Sequence, residues 1–153
     1  MILVIFILMF TGGTAGSTSG GIKIVRLLLI TKNNRQEMKR QIHPNAFLPV
    51  HLDKHSVPQN TVHNVLVFLT LYFFVICIST FVISAMGYDM ITSFSTSASM
   101  LGNIGPSLGS FGPFTNYSAV PMFGKYFLSA LMLLGRLELL TVIILFTRGF
   151  YRN

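Results

Sequence analysis

Apolar residues in this chain come in blocks, and the blocks differ in length and in what separates them. Residues 1–10 are apolar but short, about 15 Å as a helix, which is half a bilayer. A glycine-rich stretch follows, with Gly12, Gly13, Gly16, Gly20 and Gly21 inside eleven residues, and the apolar pattern then resumes over 22–30. Residues 32–60 are polar and charged and contain Pro44, Pro49 and Pro58. Two long apolar blocks come next, 62–86 and 120–146, each ample for a spanning helix, and 64–87 carries no charge. Between them lies Thr92-Ser-Phe-Ser-Thr-Ser-Ala-Ser-Met-Leu-Gly-Asn-Ile-Gly-Pro-Ser-Leu-Gly109, far too polar to face lipid.

A polar half-span between two spans is tolerated only where it is buried in protein or lines a water-filled path. From Tyr88 to Leu101 there is neither proline nor internal glycine, so the pattern predicts a short helix over about 89–101. Such a helix reaches about half of a ~30 Å hydrocarbon core. Gly102-Asn-Ile-Gly-Pro106 then breaks it, because glycine frees the backbone and proline removes a donor. Span, short helix, Gly-rich descent and second span make up a pore unit, in which main-chain oxygens replace the water shell of a cation. The expected architecture is an all-α membrane protein: this pore unit, preceded by a transmembrane helix broken in its middle.

Charge placement fixes the orientation. Only 10% of residues are charged, against about 25% in soluble domains. The net charge of +7 could suggest nucleic acid, yet seven of the eleven Lys and Arg fall between Lys23 and Lys54. That is a cytoplasmic loop by the positive-inside rule, and Arg148 and Arg152 mark the same side. No aromatics interleave with the bases, so no nucleic-acid partner is expected. The chain is expected to run outward over 62–86, place Tyr88 and Asp89 at the outer interface, and return over 120–146.

Other chemistries fare poorly. A signal peptide wants bases before its apolar run, and here they follow it. A Walker A loop fails because Lys23 comes one place late after Gly16 and Gly21. His43, His51, His55 and His63 straddle prolines without a thiolate or carboxylate cluster, which reads as a solvated connector. Cys77 is alone in an apolar run. The four acids, Glu37, Asp53, Asp89 and Glu138, are too dispersed for a paired-carboxylate enzyme, and no cofactor is called for. Asn116-Tyr-Ser118 matches a glycosylation sequon, a three-residue pattern that recurs by chance.

Arg136 and Glu138 fall within the last apolar block. Arg136 lies about 22 Å along the helix from Pro121, slightly past the midplane. An arginine there costs about 2.5–3.5 kcal/mol on insertion scales and must face protein or water. Residues two apart on a helix point away from each other, so Arg136 and Glu138 each need a partner elsewhere. The freed carbonyls of the glycine-rich break at 12–21 suit a guanidinium with five donors. The plainer alternative is a structural arginine satisfied by carbonyls or snorkelling.

Three motifs together resemble a known family. Gly12-Gly-Thr-Ala-Gly-Ser-Thr-Ser-Gly-Gly-Ile-Lys23 resembles the broken second helix in the third repeat of bacterial Trk/Ktr-type potassium uptake subunits (the TrkH, TrkG and KtrB group). Asn103-Ile-Gly-Pro-Ser-Leu-Gly109 resembles the filter of their fourth repeat, and Gly135-Arg-Leu-Glu-Leu139 with Leu145-Phe-Thr147 resembles their last helix. The resemblance implies potassium transport, with carbonyls of Gly102, Asn103, Ile104 and Gly105 as the filter and K+ held at Asn103, Ile104 and Gly105. Gly12, Gly13, Gly16, Gly20 and Gly21 would form the intramembrane gate loop, and Arg136 would contact it. It further implies a multi-pass protein of the bacterial inner (plasma) membrane, a homodimer, and a cytosolic nucleotide-binding regulatory ring (TrkA-like).

On this reading residues 1–43 are the second half of a preceding repeat, 44–60 a cytoplasmic connector, 61–148 one complete repeat with its filter at 102–106, and 149–153 a tail. One repeat supplies a quarter of a filter ring, so the chain is expected to be the C-terminal piece of a longer subunit. A stand-alone two-span subunit that tetramerises is the first alternative, and a non-conducting membrane scaffold the second.

Overall fold

The computed structural model describes residues 21–42, 51–52 and 55–137. Four α-helices make up most of this: α1 (Ile24–Ile42), α2 (Gln59–Ala85), α3 (Met90–Leu101) and α4 (Met122–Arg136). Two-residue strands, β1 (His51–Leu52) and β2 (His55–Ser56), form a small antiparallel clip in the connector that the hydrophobic pattern did not predict. A single 3-10 turn, Gly109–Phe111, interrupts the passage from α3 to α4.

α2 begins at Pro58, whose fixed φ of −60° suits a helix start. Its 27 residues rise about 40 Å, and among the described residues it is the one helix long and apolar enough to cross a membrane. One stripe of it, Phe68, Tyr72, Ile76, Ser79 or Thr80, and Ile83, recurs every three to four residues and is buried. The opposite stripe is apolar too, with Phe74 62% and Phe81 76% exposed. Cys77 lies on the exposed side.

α1 leaves the core early. Ile22 and Leu29 are buried, Leu29 against Val62, and the later residues are mostly polar and none is buried. Arg26 places its guanidinium 4.0 Å from the centre of the Phe68 ring, a cation–π contact that ties α1 to α2. Glu37 and Arg40 pair at 2.8 Å one turn apart on the exposed surface.

α3 starts where Asp89 caps it, the carboxylate accepting from the Ile91 N–H at 3.3 Å. Its 12 residues rise about 18 Å before Gly102 closes the last turn. It packs between α2 and α4 and is the most enclosed element, with every residue from Ser95 to Leu101 buried. α4 follows Pro121 and buries Gly124, Leu128, Leu131 and Gly135 along one face. The expected span of 120–146 is described as far as Leu137; the rest, with Glu138, lies outside the described residues, as do Gly12, Gly13, Gly16 and Gly20 of the expected gate loop.

Candidate functional site

The stretch from Tyr88 to Phe111 goes down and comes back. The rings of Tyr88, before α3, and Phe111, after the loop, lie 4.9 Å apart, and Phe111 stacks on Tyr117 at 4.6 Å. An 18 Å descent whose two ends meet is a hairpin that leaves at the level where it entered.

The hydroxyls of α3 make that hairpin possible. Thr92, Ser95, Thr96 and Ser99 stand at i, i+3, i+4 and i+7, one helical face, and all four are buried. Each meets the returning strand of chain in reverse order. Thr92 Oγ1 accepts from the Ser110 N–H at 3.3 Å. Ser95 Oγ accepts from the Leu108 N–H at 3.2 Å. Thr96 Oγ1 donates to Ser107 Oγ at 3.0 Å, and Ser99 Oγ donates to the Pro106 carbonyl at 2.6 Å. On the other face Ser97 donates to the Ser93 carbonyl and receives a bond from Thr80 on α2 at 3.4 Å. A buried hydroxyl without a partner costs about 1–3 kcal/mol, so this ladder is what lets a serine-rich helix sit in an apolar surround.

At the deep end the backbone is bent into conformations that few residues accept. Asn103 has φ of +57°, unusual for a residue with a side chain though most tolerable for asparagine, and Gly105 has φ of +100°. The amides of Gly102, Asn103 and Ile104 bond back to the carbonyls of Ala98, Met100 and Ser99 at 2.9, 3.1 and 2.9 Å. Their own carbonyl oxygens accept no hydrogen bond within the described residues. They project at the C-terminal end of α3, where the helix macrodipole is negative, a favourable place for a cation. The Gly105 oxygen differs from these three: the Tyr117 hydroxyl donates to it at 2.8 Å.

Three elements converge on this point. Gly21 lies beside it, since a Cβ there would stand 3.5 Å from the Gly102 Cα and 3.4 Å from the Tyr72 hydroxyl. The Asn103 side chain donates to the Met132 carbonyl of α4 at 3.0 Å. Gly135 brings α4 so close that any Cβ would overlap the Leu101 carbonyl. Arg136, the next residue, is exposed at the end of α4, one step beyond the level of the bent backbone. Of the expected site residues, the structure thus gathers Gly21, Gly102, Asn103, Ile104 and Gly105, with Arg136 adjoining. The partner expected for Arg136, residues 12–20, is outside the described residues.

Sequence reasoning missed the hydroxyl ladder, Tyr117, and the use of Gly135 and the Asn103 amide. The spacing 92, 95, 96, 99 is a signal that could have found the first. The others needed the tertiary fold. Burial holds the Tyr117 phenol above its ordinary value, with its bond to Ser107 opposing. Since a raised value preserves the proton, the donor to Gly105 stays in place at any pH below 10.0, and is lost only as pH climbs past the raised value.

Comparison with known proteins agrees with this geometry. The family model described as TrkH, cation transport protein, matches residues 1–150. The Trk system potassium uptake protein TrkH of Halomonas elongata is 39% identical over 149 residues, covering 97% of this chain and 30% of that protein. The TrkH protein of Escherichia coli K12 is 38% identical over 144 residues, covering 94% and 29%. The crystal structure of the potassium transporter TrkH from Vibrio parahaemolyticus superposes with a TM-score of 0.86 at 36% identity, over 98% of this chain and 32% of that one. The chain spans about 30% of the length of the relatives it matches.

Proposed function

Because the chain belongs to the TrkH family of cation transport proteins, an all-α membrane fold, we propose that its α3 hairpin is one quarter of a potassium-selective filter. The carbonyl oxygens of Gly102, Asn103, Ile104 and Gly105 line the ion path in this reading. Three further repeats complete the ring around a partly dehydrated ion, with K+ nearest Asn103, Ile104 and Gly105. No covalent chemistry is involved; the ion passes by exchange between neighbouring oxygen sites.

One observation carries the reading. A polar segment runs about 18 Å, the depth of about half a bilayer, returns to its own level, and presents three carbonyls that accept no hydrogen bond among the described residues at the negative end of a helix. A scaffold has no use for such oxygens, whereas the buried hydroxyls of α3 are spent on holding the hairpin together. Gly21 beside Gly102 supports a gate formed by the glycine-rich residues 12–21 directly under the filter, with Arg136 facing the same path. The subunit is placed in the bacterial inner membrane as a multi-pass protein, pairs as a homodimer, and takes its regulation from a cytosolic nucleotide-binding ring.

The test is Gly105→Ala in cells that express the intact gene and lack other potassium uptake. Space is not the obstacle, since nothing lies within 4 Å of a Cβ there, but φ of +100° excludes it. The backbone must therefore rearrange, and Rb+ uptake is expected to fall by about tenfold or more, as a cost of ~1–3 kcal/mol at a strained φ implies. Uptake equal to that of the unsubstituted protein, at equal membrane abundance, favours the scaffold.

A further inference from the structure

Among the carbonyls of Gly102, Asn103, Ile104 and Gly105, that of Gly105 is the one a side chain holds within the described residues. We propose that Tyr117 is a specificity-determining residue of the filter: its hydroxyl restrains the Gly105 carbonyl and thereby biases the site toward the larger of two monovalent cations. The proposal rests on the pore reading above and deepens it by assigning part of the selectivity to a residue outside the filter.

The peptide after Gly105 is held at one end by the Pro106 ring, which locks the φ that follows it, and turns at the other about the Gly105 ψ. No described atom lies within 4 Å of a Cβ built on Gly105, and φ of +100° lies in a region that glycine samples freely. The chain is pinned on either side. The Ile104 N–H bonds to the Ser99 carbonyl at 2.9 Å, and the Pro106 carbonyl receives the Ser99 hydroxyl at 2.6 Å. Between these anchors the freedom left is at the glycine, and the Tyr117 hydroxyl at 2.8 Å is the described hydrogen bond on the Gly105 carbonyl that opposes it.

Tyr117 is itself well placed to act as a fixed post. Its ring stacks on Phe111 at 4.6 Å with planes 23° apart, and Phe111 rests in turn on Tyr88. Its carbonyl accepts from the Val120 N–H at 3.2 Å, and Lys125 reaches back from α4 to the Ser118 carbonyl at 3.0 Å. The hydroxyl position therefore follows from α3, the 3-10 turn and α4 together.

Two effects on the ion follow. A carbonyl that shares its lone pairs with a hydroxyl offers a cation a weaker field than the free oxygens of Gly102, Asn103 and Ile104. A carbonyl that cannot rotate also cannot close in on a small ion. Both penalise Na+, which is costlier to dehydrate and needs closer oxygens, more than K+. Cavity size and field strength act in the same direction here.

Tyr117→Phe in the intact subunit tests this, because it deletes one oxygen and keeps the stack on Phe111. Initial rates of Rb+ uptake, and their inhibition by Na+, are measured at matched membrane abundance. The expected result is a preference for Rb+ over Na+ reduced roughly 2- to 10-fold, the range that one hydrogen bond commands. Incorporating 3-fluorotyrosine at 117, a stronger donor with nearly the same shape, is expected to leave the preference intact or raise it. Unchanged Na+ inhibition in Tyr117→Phe, while Gly105→Ala still lowers uptake as expected, overturns the role of Tyr117 and leaves the pore reading standing. If neither substitution alters uptake, both fall.

Discussion

α2 and α3 run side by side and obey opposite rules. α2 exposes Phe74 and Phe81 and buries a stripe that includes Ser79 and Thr80, while α3 buries six hydroxyl-bearing residues and exposes Met90 and Ile91 at its start. In water each would be inside out. With hydrocarbon as the solvent the pattern is consistent, because apolar side chains lose nothing by facing lipid and polar ones must find partners within the protein. The pair shows that in this chain polar residues are drawn inside, alongside an apolar core, while apolar ones are free to face outward. The helix with the most serine is the one that lies between α2 and α4.

That contrast can be broken most severely where backbone meets backbone. Gly135→Val puts a branched side chain onto the Leu101 carbonyl and beside the Asn103 amide. Overpacking costs ~1–3 kcal/mol even where side chains can yield, and here a main-chain oxygen has nowhere to go. Loss of folded subunit from the membrane is expected, read as the fraction surviving a thermal ramp in detergent. A normal melting profile would mean that α4 can stand off from α3 without harm.

A milder blow falls on the ladder. Thr96→Val keeps the shape and removes the donor to Ser107, which is itself bonded to the Phe111 carbonyl at 3.2 Å. A loss of ~1–3 kcal/mol is expected, felt as a lower melting temperature and reduced uptake. The smallest effect belongs to the outward stripe of α2. Phe81→Leu exchanges one lipid-facing apolar group for another and is expected to change stability by less than ~0.5 kcal/mol. A large loss there would show that Phe81 faces protein in the assembled subunit rather than lipid.

Much of α3 could be read from composition and spacing. The absence of breakers from Tyr88 to Leu101 and Gly102 as terminator set its limits, and the helix occupies Met90–Leu101, with Asp89 proving to be its cap. The return of the chain was also legible, since a polar segment of that length had no other place to go. The restraints on the bent backbone were not. Tyr117 is twelve residues from Gly105 and Met132 twenty-nine from Asn103, so no local rule joins them. Asn103 was expected to contribute only its carbonyl, and its side chain proves to be a strap to α4. The β1–β2 clip arose in a stretch of prolines and histidines where neither helical nor alternating periodicity offered a signal.

For the growing polypeptide, the hydroxyl face of α3 imposes an order of events. Until residues 106–110 have been made, Thr92, Thr96 and Ser99 lack the partners they hold in the folded protein, and until α4 follows, one side has no wall. The segment suits lipid poorly by itself, unlike α2, because the groups that satisfy its hydroxyl face come later in the chain. Insertion of this repeat is therefore a delayed, collective step, and its quality is decided after α4 is complete rather than helix by helix.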